Sequence, residues 1–454
     1  MKSEKPSEPL ANQEMPRRSF LKKSTAAWVA AALPFPFVNL RYGLAAPEPI
    51  RVGVVGCGGR GTGAALNVLQ AKTNVIYPPP RKGYHTENAV PGAKAMAENV
   101  EVVALADLFR DRLDACRAQL QAVGTDIREE HCFVGFDGCE KLLQVPDLNY
   151  VILASPPAFH PRHLRAAIEA GKNVFMEKPA AVDAPGVRSI LESGEMARRK
   201  NLGIGAGTMR RHSADIVETV KRLHDGAIGE IVEARAYYNG GAGWMIPQEA
   251  EWGQREWQIR NWLYFTWLSG DFIVEQHIHI IDAVNWIMRA NPVKAYGMGG
   301  RLARPSWEYG HIYDHFAIEY EYPGGVRLFS QNRQIDGCKD RVGAFVLGTK
   351  GTSNCENQIR GDREWVFTGQ VRDPYEQEHI DLIESIRSGK PLNEAKAVAE
   401  STLAAIMGRE SAYSGQEITW EAAMNSKRDY TPKEFTMGDC PFPEVAMPRN
   451  YRFY

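Results

Sequence analysis

A glycine-rich turn directly after an apolar run constrains the fold of this chain more than any other feature of its sequence. Residues 52–55 are predicted to form a buried strand, and the six residues that follow, Gly56-Cys57-Gly58-Gly59-Arg60-Gly61, match the pattern G-x-G-x-x-G. Glycine at the three fixed positions permits a tight turn, close approach of the backbone to a pyrophosphate, and close packing of the next helix on the strand. The N–H groups of that helix's first turn would face the phosphates. The turn therefore predicts a dinucleotide-binding βαβ unit.

Short apolar runs and helical segments alternate up to about residue 178, as expected for a parallel sheet with helices on its faces. Strands are predicted at residues 52–55, 100–106, 148–154 and 174–176, and helices at residues 61–70 and 161–170. Residues 71–99 contain three consecutive prolines, interrupt this alternation, and are predicted to form a long loop.

Beyond about residue 208 the pattern becomes that of antiparallel strands mixed with helices. Strands are predicted at residues 231–238, 312–322 and 326–331, and helices at residues 272–288, 375–387 and 395–413. The sequence thus predicts an α/β chain with a Rossmann dinucleotide-binding domain at residues 47–180. An α+β domain with an open, mostly antiparallel sheet follows at residues 181–420, and a C-terminal tail at residues 421–454. Some of the C-terminal helices are expected to pack back on the Rossmann domain.

Residues 1–46 have the pattern of a twin-arginine export signal. Arg17 and Arg18 precede Phe20 and Leu21, and a modestly apolar stretch follows at residues 25–38. That stretch is shorter than the roughly 20 residues needed to span a bilayer. Twin-arginine signals direct folded cargo to export, so a periplasmic or other extracytoplasmic location is expected, with a cofactor loaded beforehand. The alternative is a disordered or cytosolic amphipathic tail.

Composition excludes several classes of function. The formal net charge is -1, with 24% charged residues, so no excess of basic residues suggests binding to nucleic acid or to an anionic membrane surface. The seven cysteines show no C-x-x-C spacing, which argues against a disulfide framework or a zinc site. The near-zero net charge is more consistent with a small neutral ligand than with nucleic acid or a membrane surface.

Three segments beyond the turn are candidates for cofactor binding because they follow predicted strands at the carboxyl edge of the sheet. Asp107 would accept hydrogen bonds from ribose hydroxyls and favours NAD over NADP, although Arg110 nearby leaves NADP possible. It could instead be an ordinary acidic residue at a strand end. The other candidates are Ser155, Pro156 and His160 after one strand and Glu177 and Lys178 after the next. His160 could equally be a helix-start residue without a chemical role.

Lys178 lies in the tripeptide Glu-Lys-Pro, where a partly buried lysine could move the proton of a reacting hydroxyl. Glu275 and His279 are four residues apart in a predicted helix and would share a face, which Asp282 continues. That arrangement suits an imidazole base oriented by a carboxylate, with hydroxyl-binding groups beside it. A buried core histidine and a metal site are the alternatives. The candidate metal ligands have no definite spacing; they are Glu275, His277, His279, His311, Asp314 and His315.

Aromatic residues are dense at residues 257–267, just before the acid-histidine segment. Trp262 and Tyr264 could stack on the apolar faces of a sugar ring, and Arg211 could bind hydroxyls. Any one of these aromatic residues could equally belong to the core or to a subunit contact.

Taken in order, the glycine-rich turn, Glu177-Lys178-Pro179 and the acid-x-x-x-His segment resemble the Gfo/Idh/MocA oxidoreductases, a family that includes glucose-fructose oxidoreductase and inositol dehydrogenase. The resemblance covers about residues 49–420. It implies hydride transfer between a sugar, glycoside or polyol hydroxyl carbon and NAD(P), with Lys178, Glu275 and His279 at the reacting hydroxyl. It also implies self-association through the open sheet. Glutamate at 275 replaces the usual aspartate, and His277 replaces a common glycine.

The segments 207–212 and 264–279 resemble an exported bacterial subgroup of that family. Because free NAD is scarce outside the cytoplasm, a tightly bound cofactor is expected. Two further functions remain open from the sequence. One is glycoside cleavage by transient oxidation with no net redox change, and the other is a non-catalytic sugar sensor.

Overall fold

The computed structural model describes residues 48–432, 434–438 and 440–453. The predicted export signal, including Arg17 and Arg18, lies outside the described residues. Within them, the amino-terminal part contains the following strands: β1 (Ile50–Val55), β2 (Thr73–Ile76), β3 (Thr86–Ala89), β4 (Val100–Asp107), β5 (Cys132–Val134), β6 (Tyr150–Leu153), β7 (Asn173–Met176) and β8 (Ile204–Ala206). Its helices are α1 (Gly59–Val68), α2 (Arg110–Ala122), α3 (Gly138–Leu142), α4 (His160–Glu169) and α5 (Ala184–Lys200).

Strands β1 and β4 to β8 form one parallel sheet in the order β5-β4-β1-β6-β7-β8. The central strands are continuous apolar runs, and every residue of β6 is buried, as expected where helices cover both faces. The order reverses at β1, so β4 and β6 lie on either side of it. A crevice at the carboxyl ends of these strands is where ligands bind in open α/β sheets.

The carboxyl-terminal part is built on a nine-stranded sheet within the described residues. Its strands are β9 (Ile231–Gly240), β10 (Lys294–Gly300), β11 (His315–Glu321), β12 (Arg327–Gln334), β13 (Arg341–Gly348), β14 (Gly351–Ser353), β15 (Gln358–Gly361), β16 (Trp365–Val366) and β17 (Ile418–Thr419). They are ordered β16-β15-β14-β13-β9-β12-β11-β10-β17. Only β9 and β12 pair in parallel among the described strands of this sheet. The predicted fold class, a Rossmann domain followed by a domain with a mostly antiparallel sheet, is confirmed.

The helices of the second part lie between the two sheets and beside them. They are α6 (Ala214–His224), α7 (Gln254–Arg260), α8 (Thr266–Ser269), α9 (Phe272–Glu275), α10 (Ile278–Met288), α11 (Pro374–Arg387), α12 (Ala395–Ser414) and α13 (Trp420–Asn425). Helix α11 contacts α1 and β8, and α12 contacts both α5 and β10. Almost all of α12 is buried, because it packs against elements of both the first part and the second part of the chain. No helix within the described residues is long and apolar enough to cross a membrane.

Two local predictions were wrong. Residues 71–99 are not a plain loop, because β2 and β3 pair as an antiparallel hairpin around the prolines. Residues 272–288 are not one helix, because α9 ends at Glu275 and α10 begins only at Ile278. At this break the side chains of Gln276 and His277 bond to β12, an interaction that helical periodicity cannot reveal.

The described residues after α13 form no further helix or strand and run along the surface of the molecule. Hydrogen bonds hold this tail. The N–H of Tyr430 donates to Asp183 at 2.8 Å, and the hydroxyl of Tyr451 donates to Glu410 at 2.6 Å. Phe435 thereby reaches the crevice of the first sheet, where its ring lies 5.9 Å from that of Phe159.

Candidate active site

The glycine-rich turn is shaped by close backbone approaches at three of its four glycines. One is to the hairpin, where a Cβ on Gly59 would lie 2.1 Å from the carbonyl oxygen of His85. Gly56 has φ of +92°, and a Cβ there would lie 2.4 Å from the amide nitrogen of Ser155. A Cβ on Gly61 would lie 1.7 Å from the carbonyl oxygen of Gly56. At Gly58, by contrast, a Cβ would meet nothing within 4 Å. Two of the glycines therefore permit the turn itself, and Gly58 leaves open space on the crevice side.

Helix α1 begins at this open space. Its first turn contains no acidic residue, and no side chain caps it. Free N–H groups and the helix dipole favour an anion at such a terminus. The turn therefore fits the pyrophosphate of a dinucleotide.

The turn opens into a cleft, which Asp107 also lines. The carboxylate of Asp107 accepts the N–H of Cys57 at 2.6 Å and that of Phe109 at 2.8 Å. Burial raises the pKa of Asp107 to about 6 in spite of these two hydrogen bonds. The carboxylate is thus largely ionised at neutral pH and can accept hydrogen bonds from ribose hydroxyls.

The segment after β6 contributes two of its three predicted cofactor residues to the cleft, Ser155 and Pro156. His160 is fully buried and its Nδ1 pairs with the carbonyl of Pro179 at 2.9 Å, so it supports the Glu-Lys-Pro segment from behind. Burial lowers the pKa of His160 to about 4, and the ring is neutral. His163, which sequence reasoning missed, lines the cleft and pairs with Ser155 at 3.1 Å.

Arg60 lies at the edge of the cleft but its guanidinium is engaged by two carboxylates. Its Nη1 lies 2.6 Å from Oε2 of Glu87, and its Nε lies 3.1 Å from Oε1 of Glu177. Glu87 belongs to β3 of the hairpin, and Glu177 precedes Lys178. Arg60 therefore connects the hairpin, the glycine-rich turn and the Glu-Lys-Pro segment.

Lys178 and Glu275 form an ion pair close to the end of β7. The ammonium of Lys178 donates to Oε1 of Glu275 at 2.7 Å and to the main-chain carbonyl of Glu275 at 2.6 Å. Their side chains are 13% and 11% exposed, so the pair is nearly buried yet reachable. Two hydrogen bonds to a single residue fix where the ammonium lies.

His279 belongs to the same group. Burial and, secondarily, the charges of Lys178 and Arg210 lower its pKa well below the ordinary value. Its Nδ1 has no hydrogen-bond partner within the described part of the chain. A neutral imidazole beside an ammonium can accept a proton. The structure thus places His279 close enough to Lys178 for the ammonium to affect its pKa, and Lys178 itself is bonded to Glu275, although α9 and α10 are separate helices.

The residues predicted to bind substrate divide into two groups. Arg211 forms a bidentate ion pair with Asp282 at 2.8 and 2.9 Å, and Asp282 also accepts the hydroxyl of Ser401 at 2.8 Å. Tyr264 is fully buried and donates to the carbonyl of Gly243 at 3.0 Å. These three side chains are engaged within the protein. Trp262 alone of the four lines the cleft.

The described residues contain no group of three or more His, Cys, Asp and Glu side chains that could hold a metal ion. Asp314 accepts the N–H groups of Leu302 and Ala303 at 2.8 and 2.6 Å. It also contacts Nδ1 of His315 at 2.8 Å. Asp314 and His315 thus stabilise the loop that precedes β11.

Sequence reasoning also missed three walls of the cleft. Tyr84 and His85 come from the hairpin, Phe435 from the tail, and Trp244 from the segment after β9. The guanidinium of Arg112 lies 3.0 Å from the centre of the Tyr84 ring. The only sequence signal for this wall was the presence of Tyr84 and His85 in the insertion at residues 71–99. Without the fold, nothing in the sequence placed these two residues near the glycine-rich turn.

Two family models match the chain. Residues 50–208 match the model described as "Oxidoreductase family, NAD-binding Rossmann fold". Residues 217–354 match the "GFO/IDH/MocA C-terminal domain". The chain belongs to the Gfo/Idh/MocA family of oxidoreductases. It is accordingly an enzyme with an NAD-binding Rossmann domain, as the turn and the cleft independently indicate.

Inositol 2-dehydrogenase of Agrobacterium fabrum is one curated relative within this family. It is 31% identical over 193 residues, which cover 42% of this chain and 50% of the relative. The uncharacterized oxidoreductase YrbE of Bacillus subtilis is 24% identical over 306 residues, which cover 63% and 80%. This chain therefore aligns with only half of the length of the Agrobacterium enzyme.

Among solved structures, the scyllo-inositol dehydrogenase of Lactobacillus casei with bound NAD(H) and scyllo-inositol has the same fold. The TM-score is 0.60 at 18% identity, covering 82% of this chain and all of that one (100%). Aldose-aldose oxidoreductase of Caulobacter crescentus also gives a TM-score of 0.60, at 16% identity, over 82% of this chain. At such identities the likeness concerns the fold alone.

Proposed function

We propose that this enzyme transfers a hydride between a hydroxyl-bearing carbon of a sugar, glycoside or polyol and its nicotinamide cofactor. The observation that carries the proposal is the Lys178–Glu275 ion pair, 2.7 Å between Nζ and Oε1, with the neutral His279 beside it. The inositol dehydrogenases among its relatives support a polyhydroxylated substrate. Bound NAD would supply the two-electron acceptor.

The residues of this chain would handle the proton. In the oxidative direction, the ammonium of Lys178 would donate a hydrogen bond to the hydroxyl oxygen and stabilise its developing negative charge. His279, held uncharged by burial, would take the hydroxyl proton. Glu275 would hold Lys178 in place through the two hydrogen bonds described above.

We also propose that the cofactor stays bound between turnovers. The hairpin covers one side of the cleft through Tyr84 and His85, and the tail covers another through Phe435. The N–H of Arg81 donates to the carbonyl of Met245 at 2.8 Å, so the hairpin also reaches the second domain. A dinucleotide enclosed in this way would leave only when these contacts open.

A retained cofactor favours a second candidate function. Transient oxidation of a ring carbon would acidify a neighbouring C–H bond and allow elimination of the aglycone, which would leave as its alcohol. Water would then add to the resulting double bond, and the hydride would return from the cofactor to the oxidised carbon. NAD would then be regenerated without a free pool. The same residues would serve both reactions, which differ in whether reduced cofactor accumulates.

The test of the proposed chemistry measures both products on one panel of substrates. Purified enzyme with its cofactor is incubated with inositols, aldoses and aryl glycosides, and reduced cofactor and released aglycone are both quantified. Stoichiometric reduced cofactor supports the dehydrogenase, and aglycone without it supports cleavage. Lys178→Ala is expected to lose about 10²–10⁴-fold in either activity while retaining NAD. Full activity in Lys178→Ala would show that the proton chemistry is assigned to the wrong group.

We further propose export by the twin-arginine route, supported by Arg17 and Arg18 before an apolar stretch. Arg17→Lys combined with Arg18→Lys is expected to leave the protein in the cytoplasm when bacterial fractions are compared.

We also propose that the protein self-associates through the outer face of the large sheet. There Tyr296, Met298 and Phe329 are exposed by 58%, 69% and 42%, and light scattering would give the size of the assembly.

A further inference from the structure

The loop of the inserted hairpin, residues 77–85, is closed by two stacked side chains. Tyr77 directly follows β2, and His85 directly precedes β3. Their ring centroids lie 4.7 Å apart, and the planes of the rings differ by only 11°. One face of the Tyr77 ring is therefore covered by the imidazole, but the residue as a whole is still 73% exposed. Its other face is open to solvent.

His85 holds this stacked pair over the cofactor-binding turn. The backbone of His85 touches the turn, since a Cβ on Gly59 would lie 2.1 Å from the His85 carbonyl oxygen. Nε2 of His85 lies 3.1 Å from the buried carboxylate of Glu87, and the imidazole lines the cofactor cleft. Tyr77 thus packs on a residue that belongs to the cofactor site.

The chain that follows Tyr77 crosses to the second domain. Residues 78–80 are all proline, and the proline ring fixes the backbone angle φ. Immediately after them, the N–H of Arg81 donates to the carbonyl of Met245 at 2.8 Å. Met245 follows Trp244, which is itself a wall of the cleft. A stiff segment anchored at both ends therefore holds Tyr77 between the glycine-rich turn and the second domain.

Tyr77 lies close to the proposed reacting groups. Although its ring is exposed, desolvation by the surrounding protein is the main cause that raises the pKa of Tyr77. Exposure combined with desolvation is expected in a concave opening rather than on a convex surface. The charges of Lys178 and Glu275 also act on the phenol, and water and salt screen such charges beyond about 10 Å. Tyr77 therefore lies at the opening that leads to the Lys178–Glu275 pair.

An open aromatic face at this opening suits a flat ring of a ligand. Aromatic side chains pack on the apolar faces of sugar rings and on aryl groups. The reacting ring would lie deeper, at Lys178, whose side chain is only 13% exposed. The ring that packs on Tyr77 is then a second one, which is joined to the first.

We propose that Tyr77 is a stacking platform for a second ring of the substrate, a sugar or an aryl aglycone linked to the reacting sugar. The platform determines which substrate binds and takes no part in hydride or proton transfer. It rests on the proposed function, and it narrows the substrates of that function from sugars, glycosides and polyols to glycosides.

The test is equilibrium binding of matched probes to the NAD-loaded enzyme by calorimetry. Each pair differs only in its second ring: phenyl and methyl β-glucoside, phenyl and methyl β-galactoside, and cellobiose with glucose. The wild type is expected to bind the two-ring member of at least one pair about three- to tenfold more tightly. Tyr77→Ala should bind both members of that pair equally and should bind the one-ring probes as the wild type does.

Two further variants identify the group that is responsible. Tyr77→Phe keeps the ring and should keep the preference for the second ring. Ile76→Ala removes the neighbouring apolar side chain, which is 43% exposed, and should also keep it, so it is the matched control. Because Tyr77 is largely exposed, Tyr77→Ala should melt at the wild-type temperature.

The outcomes separate this proposal from the proposed function. If the wild type binds one-ring probes without any preference for a second ring, the platform is wrong and the proposed function stands. Binding of no probe contradicts both. Loss of the preference in Tyr77→Phe would assign the contact to the hydroxyl and overturn stacking. Light scattering tests whether a second copy of the chain covers Tyr77 instead. A smaller assembly in Tyr77→Ala with an unchanged preference would overturn the platform in favour of a subunit contact.

Discussion

Arg60 and Glu87 form an ion pair, 2.6 Å between Nη1 and Oε2, that connects the glycine-rich turn to the inserted hairpin. Glu87 is 4% exposed and Arg60 is 20% exposed, so solvent screens this pair little. The hairpin also contacts the second domain through Arg81, whose guanidinium lies 2.5 Å from Glu308.

Glu87→Gln is expected to speed the loss of bound NAD by about tenfold or more. The substitution removes the charge that holds the hairpin to Arg60, at a cost of about 1–3 kcal/mol, and 1.4 kcal/mol corresponds to a factor of ten. The rate is measured by diluting NAD-loaded protein into a scavenging enzyme. Glu98→Gln, an exposed residue in the same insertion, is the control. Equal rates in the two variants would mean that the hairpin does not limit release.

Gly58 and Gly61 are expected to respond differently to the same substitution. Gly61→Ala should destabilise the fold, because its Cβ would meet the carbonyl of Gly56 at 1.7 Å. Gly58→Ala should leave the melting temperature of the cofactor-free protein nearly unchanged, because nothing lies within 4 Å of its Cβ. It should nevertheless weaken NAD binding, since the methyl group would occupy the space for the pyrophosphate. Thermal melts with and without NAD distinguish the two effects.

Affinity for NAD is expected to fall as the pH drops through about 6, the value to which burial raises the pKa of Asp107. The ionised carboxylate would accept hydrogen bonds from the ribose, so binding would favour that form. Below the pKa the dissociation constant should rise up to tenfold per pH unit. Asp107→Asn should bind more weakly and lose this dependence, and Asp114→Asn, half exposed on α2, should keep it. A pH-independent affinity in the wild type would contradict the role of Asp107.

Stability is expected to decrease from about pH 6.5 to about pH 10 through His212. Burial disfavours its protonation, but contacts with Asp381 at 2.6 Å and Glu394 at 3.4 Å outweigh burial and raise the pKa of His212 to about 10. A raised pKa means that the native state binds the proton more tightly. The stabilisation is therefore complete below the unfolded pKa of about 6.5 and is lost as the pH approaches 10. Denaturant melts of His212→Gln should show a flatter dependence over this interval.

Local signals predicted the features whose chemistry lies in consecutive residues. The glycine-rich turn and Glu177-Lys178-Pro179 are of this kind, because a strand, a turn and the start of a helix are set by neighbours in sequence. The alternation of apolar runs likewise predicted both sheets. What the sequence alone could not show was pairing across long distances. Asp282 has the right helical spacing from His279, yet it pairs with Arg211.

Pairing between residues that are far apart in the sequence also explains the other differences between the predictions and the structure. The break after Glu275 depends on bonds to Ser330 and Gln334, more than fifty residues later in the chain. The hairpin was hidden because its two strands are four residues long and largely polar. Phe435 could not be assigned to the cleft, since no local pattern distinguishes an aromatic residue in a tail from one in a wall.

The position of Phe435 in the cleft also constrains the timing of cofactor capture. Domains generally fold as units, N-terminal first, while the chain is still being synthesised, so the parallel sheet and its glycine-rich turn can form early. Their cleft still lacks the Phe435 wall, which packs on Phe136 and Phe159. Until the ribosome has released that segment, NAD meets an open groove from which it can readily leave. Durable loading of a retained cofactor would thus be a late event in the biogenesis of the enzyme, and nascent chains paused before residue 435 should exchange the dinucleotide freely.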